Sequence, residues 1–290
     1  MFVFKAAVVG AGTMGGEIAQ VIAAAGIPVV LKDIDEERVQ VGLAKAREVS
    51  GRQLAGLVSK QRLTEEQAEA QVQEIVGRIH GATSYEDFGD VDFVIEAVPE
   101  RLALKQLVME ELDSVTPGSA ILASNTSALS ISEIAQATGR PERVVGFHFF
   151  WPASVMRLIE VVEGDETSLE TVQDAHSFAL AIRRSPISCG EAPGFVVNRI
   201  LTSAVSELWQ LQELVGLDPL DVDQAVTDAK LAPMGPFALA DMTGLDTVLA
   251  VVEHLHASYG DRFYVHQGMT ELVAQGKLGK KTGSGFYEHS

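Results

Sequence analysis

A histidine and a glutamate carry the first chemistry this chain suggests. His148 sits inside VVGFHFFWP (144–152) and Glu160 inside MRLIEVVEG (156–164). Val144, Val145, Phe147, Phe149 and Phe150 are strand formers, and Pro152 stops the run. Residues 156–162 read as a second strand. If the two pair as an antiparallel hairpin, His148 faces Glu160 with Cβ atoms ~5 Å apart. A carboxylate beside an imidazole fixes its tautomer and raises its basicity. At the C-terminal end of a strand, beside a nicotinamide, such a histidine is a general base for alcohol oxidation. A packed strand histidine with an unrelated acid nearby is the equally open alternative.

The second chemistry is nucleotide binding. Gly10, Gly12 and Gly15 in GAGTMG fit the GxGxxG pattern. The first permits a tight turn, the second lets a pyrophosphate approach the backbone, and the third packs helix on strand. Asp33 closes the next apolar run, PVVLKD (28–33). A carboxylate there accepts from a ribose 2′-hydroxyl and repels a 2′-phosphate, and no arginine follows directly, so NAD is expected rather than NADP.

Elements must exist to position these residues. Residues 2–9 read as a buried parallel strand, 10–26 as a glycine turn opening into a helix, and 28–33 as a second strand. Residues 36–79 read as helix-rich, with a capping pattern at Thr64 followed by Glu. VDFVIEAVPE (91–100), SAILASNTS (119–127) and RVVGFHFF (143–150) are three further strands with helices between them. The alternation predicts an α/β fold, a Rossmann-like doubly wound N-terminal domain over residues 1–190. Past the Pro193–Gly194 break the apolar spacing is helical (Val197, Ile200, Leu201, Ala204, Val205, Leu208), which predicts an all-helical domain over 191–290.

Composition narrows the function. The 290 residues are 47% hydrophobic, ample for a large core. The formal net charge of −18 argues against general nucleic-acid binding, and no apolar run approaches a membrane span. One cysteine, Cys189, excludes an internal disulfide and fits a reducing, cytoplasmic setting. The N-terminus reads straight into a strand, with no signal-peptide order. No metal is expected. Between 38 and 63 the chain concentrates cations: Arg38, Lys45, Arg47, Arg52, Lys60 and Arg62, with Glu48 the only acid among them. That segment reads either as a phosphate-steering surface or as a solvated helix face.

With these residues in view, the chain resembles the L-3-hydroxyacyl-CoA dehydrogenases in their short single-function form. The resemblance covers essentially the whole sequence. It runs through GAGTMG, EAVPE (96–100), SNTS (124–127), GFHFF, IEVVE, PGFVVNRI (193–200), PMGPFALADMTGLD (233–246) and GKKTGSGFY (279–287). It implies a catalytic base at His148 with Glu160 as its partner. It implies that Ser127 hydrogen-bonds the substrate oxygen and that Asn198 holds the thioester. Glu100, Lys105 and Asn125 match positions used around the nicotinamide half of NAD. The family contacts the CoA nucleotide in the cationic segment, where Arg52 and Lys60 are the candidates. A homodimer formed through the C-terminal domain is also implied.

Taken without the family, Ser127 is equally a helix cap, as Ser130 is. Asn198 is an amide on an apolar helix face that needs partners, and Lys105 is an ordinary solvated lysine. The chain departs from the family pattern at Trp151, where asparagine is usual, at Ala153-Ser154-Val155, at Arg101 and at Ala238. Trp151 admits one rival, a related NAD enzyme acting on a 3-hydroxy acid lacking CoA; a rival of another class is a catalytically silent NAD-binding protein, against which intact Ser127, His148, Glu160 and Asn198 count.

Overall fold

The structure is a computed structural model and describes residues 2–289. Two compact units divide it, one up to Glu191 and one from Ala192 onward.

The first unit is built on an eight-stranded sheet. In chain order its elements are β1 (Ala6–Val9), α1 (Thr13–Ala24), β2 (Val29–Lys32), α2 (Glu36–Val58), α3 (Glu65–Val76), β3 (Ile79–Ala82), β4 (Phe93–Glu96), α4 (Leu102–Val115), β5 (Ile121–Ser124), α5 (Ile131–Ala135), β6 (Val144–Phe149), β7 (Leu158–Glu163), α6 (Leu169–Ala181) and β8 (Ser185–Gly190). The strand order is β3-β2-β1-β4-β5-β6-β7-β8, and every pairing is parallel except β6 with β7. The chain winds outward from β1 to β3, then returns to place β4 on the other side of β1. This is the doubly wound, Rossmann-like arrangement, with its switch point between β1 and β4.

Four central strands, AAVV, VVLK, FVIE and ILAS, are buried along their whole length. Helices cover both faces of a parallel sheet, so such strands read as continuous apolar runs rather than alternating ones. Phe93, Phe147 and Phe178 meet in the core, with Phe178 4.4 Å from Phe93 and 5.8 Å from Phe147 between ring centroids. Two strands, β3 and β8, lie outside the expected set. Both are sheet edges, and their sequences IHGA and SPISCG carry glycine, proline and serine in place of an apolar run. The helical stretch after Asp33 is two helices. Asp35 caps α2, and Thr64 caps α3 in a reciprocal box whose partner is Gln67.

The chain leaves the sheet under restraint. The Glu191 carboxylate accepts hydrogen bonds from the Ser130 hydroxyl (3.0 Å), the Ser132 hydroxyl (2.5 Å) and the Ser132 backbone N–H (2.8 Å).

The second unit holds α7 (Val197–Val215), α8 (Pro219–Asp228), α9 (Pro236–Thr243), α10 (Leu245–Tyr259) and α11 (Gln267–Ala274) around Trp209, Phe237, Leu245, Val252 and Met269. Among the described residues its only β features are isolated bridges in the closing segment, Gly279 with Ser284 and Ser284 with Glu288. Fully buried Asp241 accepts from the backbone N–H groups of Phe286 and Tyr287 (both 2.9 Å) and from His289 Nε2 (2.7 Å). Asp223 accepts from the N–H groups of Phe237 and Ala238 and from the Tyr287 hydroxyl. Two aspartates thus pin the GKKTGSGFY stretch to α8 and α9, and it is far more than a basic glycine turn.

Candidate active site

The β6–β7 hairpin sets the centre of the site. Its antiparallel register pairs Gly146 with Val162 and His148 with Glu160. His148 Nδ1 lies 2.7 Å from Glu160 Oε2. Both side chains are removed from water, at 8% and 0% exposure. A carboxylate at that distance holds the imidazole ring in one orientation. Phe150 meets the imidazole edge-on, 4.6 Å between ring centroids. The neighbouring strand adds a brace, since Asn125, one residue beyond β5, accepts the Phe149 N–H through Oδ1 at 2.9 Å.

A buried ionic network lies beside this hairpin at the same sheet edge. Glu96 ends β4 and is fully buried. Its carboxylate takes hydrogen bonds from Lys105 Nζ (2.8 Å), the Ser124 hydroxyl (2.7 Å) and the Val98 N–H (2.7 Å). Lys105, on the first turns of α4, is 1% exposed and also reaches Glu100 at 3.2 Å. Lys105 is therefore no solvated helix lysine. It neutralises two carboxylates that would otherwise repel each other.

Glu100 in turn organises the turn that carries Ser127. Its Oε1 accepts from the Thr126 hydroxyl (2.6 Å), the Ser127 N–H (2.8 Å), the Ser127 hydroxyl (3.3 Å) and the Ala128 N–H (3.2 Å). Burial pushes the Glu100 carboxyl up, but the Lys105 charge and the hydrogen bonds from Thr126 and Ser127 outweigh it, and the net shift is downward. The helix cap that follows belongs to Ser130, which accepts from the Glu133 N–H. Ser127 is left to the Glu100 turn. Glu96, Ser124 and Thr126 are members of this network that a motif reading passes over. The available signal is an acid closing an otherwise apolar strand, FVIE.

The glycine turn has the form a dinucleotide needs. Gly10 has φ +102°, and a Cβ on Gly15 would overlap the Gly10 carbonyl. A Cβ on Gly12 would meet nothing within 4 Å, so the backbone there is open to a ligand. Asp33 Oδ2 accepts from the Ala11 N–H at 2.7 Å, which ties the end of β2 to the turn. A cavity of about 300 Å³ opens there, lined by Ala11, Gly12, Asp33, Asp35, Arg38 and Val41 among others. Gly10, Gly12, Gly15 and Asp33 are therefore one constellation, and it fits the adenosine end of NAD.

The cationic segment is less unbalanced than its composition suggests. Arg38 pairs with Asp35 at 3.1 Å, Lys45 with Glu48 at 3.2 Å, Arg52 also with Glu48, and Arg47 approaches Glu69 at 3.8 Å. Two of those acids lie outside the span, on the cap of α2 and on α3. Lys60 lies in the exposed α2–α3 turn. Asn198 belongs to the second unit, as the second residue of α7, and is half-buried.

A family model described as "3-hydroxyacyl-CoA dehydrogenase, NAD binding domain" matches residues 5–192, and one described as "3-hydroxyacyl-CoA dehydrogenase, C-terminal domain" matches residues 194–289. The chain is 38% identical to the 3-hydroxybutyryl-CoA dehydrogenase of Clostridioides difficile over 99% of each protein. It is 39% identical to the fatty acid oxidation complex subunit alpha of Pseudomonas syringae pv. tomato, over 98% of this chain and 38% of that one. Among solved structures it resembles the (S)-3-hydroxybutyryl-CoA dehydrogenase of Ralstonia eutropha, with TM-score 0.90 and 39% identity over the full length of both.

Proposed function

Because the chain belongs to the 3-hydroxyacyl-CoA dehydrogenase family, NAD-dependent oxidoreductases acting on a hydroxyl carbon, we propose that it interconverts (S)-3-hydroxyacyl-CoA and 3-oxoacyl-CoA. A short-chain thioester of the 3-hydroxybutyryl type is the substrate, as in the names of its relatives. The observation that carries this reading is the buried His148–Glu160 pair on a dinucleotide-binding sheet.

NAD, when bound at the glycine turn, supplies the hydride-accepting ring. Gly10, Gly12, Gly15 and Asp33 hold the dinucleotide. His148 takes the proton of the substrate hydroxyl at Nε2, and Glu160 stabilises the positive charge that the ring then carries. The Ser127 hydroxyl orients the reacting oxygen from a turn fixed by Glu100. Glu100 presents its carboxylate to the nicotinamide half, Lys105 holds Glu100 there, and Asn125 holds the backbone of Phe149. Asn198 binds the thioester, while Arg52 and Lys60 meet the CoA nucleotide; these three assignments rest on the family pattern. In the second unit α7 exposes Ile200, Leu201, Leu211 and Leu214, and we assign this apolar face to the pairing of two copies.

The test is a substrate panel followed by NADH absorbance. It sets 3-hydroxyacyl-CoA thioesters of increasing chain length against the free 3-hydroxy acids, each with NAD and with NADP. Oxidation of a thioester with NAD is expected. Turnover of free acids alone would transfer the site to a non-CoA substrate, and cofactor binding without turnover of any of them would make the protein catalytically silent.

A further inference from the structure

Arg157 and Arg184 immediately precede the first residues of β7 and β8. Those strands pair in parallel with Leu158 opposite Ser185, and the Ser185 N–H donates to the Arg157 carbonyl at 2.8 Å. The two arginines therefore spring from adjacent backbone positions at one end of the sheet. Because β7 runs antiparallel to β6, this is the end toward which β6 carries His148.

Like charges side by side on paired strands are unfavourable. Desolvation and the neighbouring Arg157 charge both weaken the hold of Arg184 on its proton. Yet among the described residues neither guanidinium enters an ion pair, in a chain with 40 acidic residues against 22 Lys and Arg. The α2 cations behave differently, since Arg38, Lys45 and Arg52 all have carboxylates. Arg184 finds only backbone oxygen, that of Ala153 at 3.0 Å and that of Arg183 at 3.4 Å, and its Nε is buried with no partner.

The loop that leads into Arg157 is also anchored. Between β6 and β7 the Ser154 N–H donates to Glu17 on α1 and the Ser154 carbonyl accepts from Gln53 on α2, each at 3.1 Å. Gln53 follows Arg52, so the Arg pair and the cationic side of α2 are joined through one anchored loop. Side chains alternate along a strand, which puts Arg157 on the opposite face from Glu160 and hence from His148. That position suits the far end of an extended ligand and not its reacting carbon.

We propose that Arg157 and Arg184 form a phosphate subsite that holds a phosphate of the CoA nucleotide. The assignment rests on the proposed acyl-CoA activity and deepens it. The exposed Arg157 guanidinium offers a forked donor matched to phosphate oxygens, and an anion bound beside the two arginines offsets the charge of both.

The test uses Arg157→Gln, which leaves the Arg184–Ala153 bond in place, and Arg184→Lys, which keeps the charge. Steady-state constants are measured with a 3-hydroxyacyl-CoA, with the same acyl group on pantetheine, and for NAD. Binding of CoA itself is measured by calorimetry. Arg157→Gln is expected to raise KM for acyl-CoA and Kd for CoA by roughly 10-fold or more, the range for losing a charged hydrogen-bond partner. The constants for the pantetheine thioester, kcat and the KM for NAD should hold, and Arg184→Lys should show a smaller rise. Unchanged CoA affinity overturns the assignment. An equal loss with the pantetheine thioester overturns it too, since the nucleotide would then be uninvolved, and a rise confined to NAD would hand the arginines to the dinucleotide. Calorimetry with CoA needs no turnover, so it reads the subsite even if the dehydrogenase reading fails.

Discussion

Replacing Lys105 with methionine tests how the buried network is held together. Lys105 is 1% exposed and Glu96 is fully buried, so the variant leaves a carboxylate in a dry site with only the Ser124 hydroxyl and the Val98 N–H on it. Breaking a buried pair by removing one partner costs about 3–5 kcal/mol, because the remaining charge is uncompensated. In a unit of this size each kcal/mol moves Tm by about 2–4 °C, so a fall of roughly 6–20 °C is expected. Differential scanning calorimetry of wild type and variant measures it. The double variant Glu96→Gln with Lys105→Met removes both charges and should recover most of the loss, since an apolar or neutral pair of similar size is often as stable as the ions. Should Lys105→Met melt within a degree or two of wild type while its KM for NAD rises, the lysine serves the cofactor and does not compensate the buried carboxylates. A double variant no more stable than the single one would also refute the reasoning, because the stranded charge would not be the cause.

Four further outcomes are expected. His148→Gln should lower kcat by ~10²–10⁴-fold with NADH affinity nearly unchanged, and Glu160→Gln should lower it too. Because the pair acts as one unit, the double variant should lose far less than the product of the single losses in a turnover assay. Asp33→Ala should narrow the preference for NAD over NADP in paired kcat/KM measurements, and equal use of both by the wild type would defeat that role. Glu100 has a lowered carboxyl pKa, so its contribution to stability is full above the ordinary carboxylate value and is lost as pH falls through the lower folded value. Acid denaturation curves should therefore flatten in this window in Glu100→Gln, and superimposable curves would count against it. Leu214, 82% exposed on α7, should when changed to Glu shift the sedimentation of the protein toward the monomer.

The legible parts of this molecule share one property, which is that short-range pattern determines them. The His148–Glu160 register follows from a single short loop between two apolar strands, so counting residues is enough to pair them. The glycine turn and Asp33 lie within one β-α-β unit, and the structure binds them directly through the Ala11 N–H. The edge strands β3 and β8 escape a pattern reading because an edge needs no continuous apolar run. Lys105 reads as solvated because its partner Glu96 lies on a different element, and burial of a lysine is decided by what packs over it. Arg157 and Arg184 are brought together only by the β7–β8 pairing, and β8 is itself hidden from the pattern. The cationic segment misleads in the opposite sense. Asp35 and Glu69, just beyond its limits, supply the counter-charges that a linear count leaves out.

The three hydrogen bonds on Glu191 mark where this protein can be divided. Severing the chain before Glu191 would take a carboxylate away from two serine hydroxyls and one backbone N–H at the start of α5, a few residues past the Ser127 turn. Severing it after Ala192 would leave that fastening whole. The choice of cut, before Glu191 or after it, thus separates a sheet unit with the start of α5 secured from one with that start frayed. Engineers who graft the sheet unit onto another partner should treat Glu191 as its last indispensable residue.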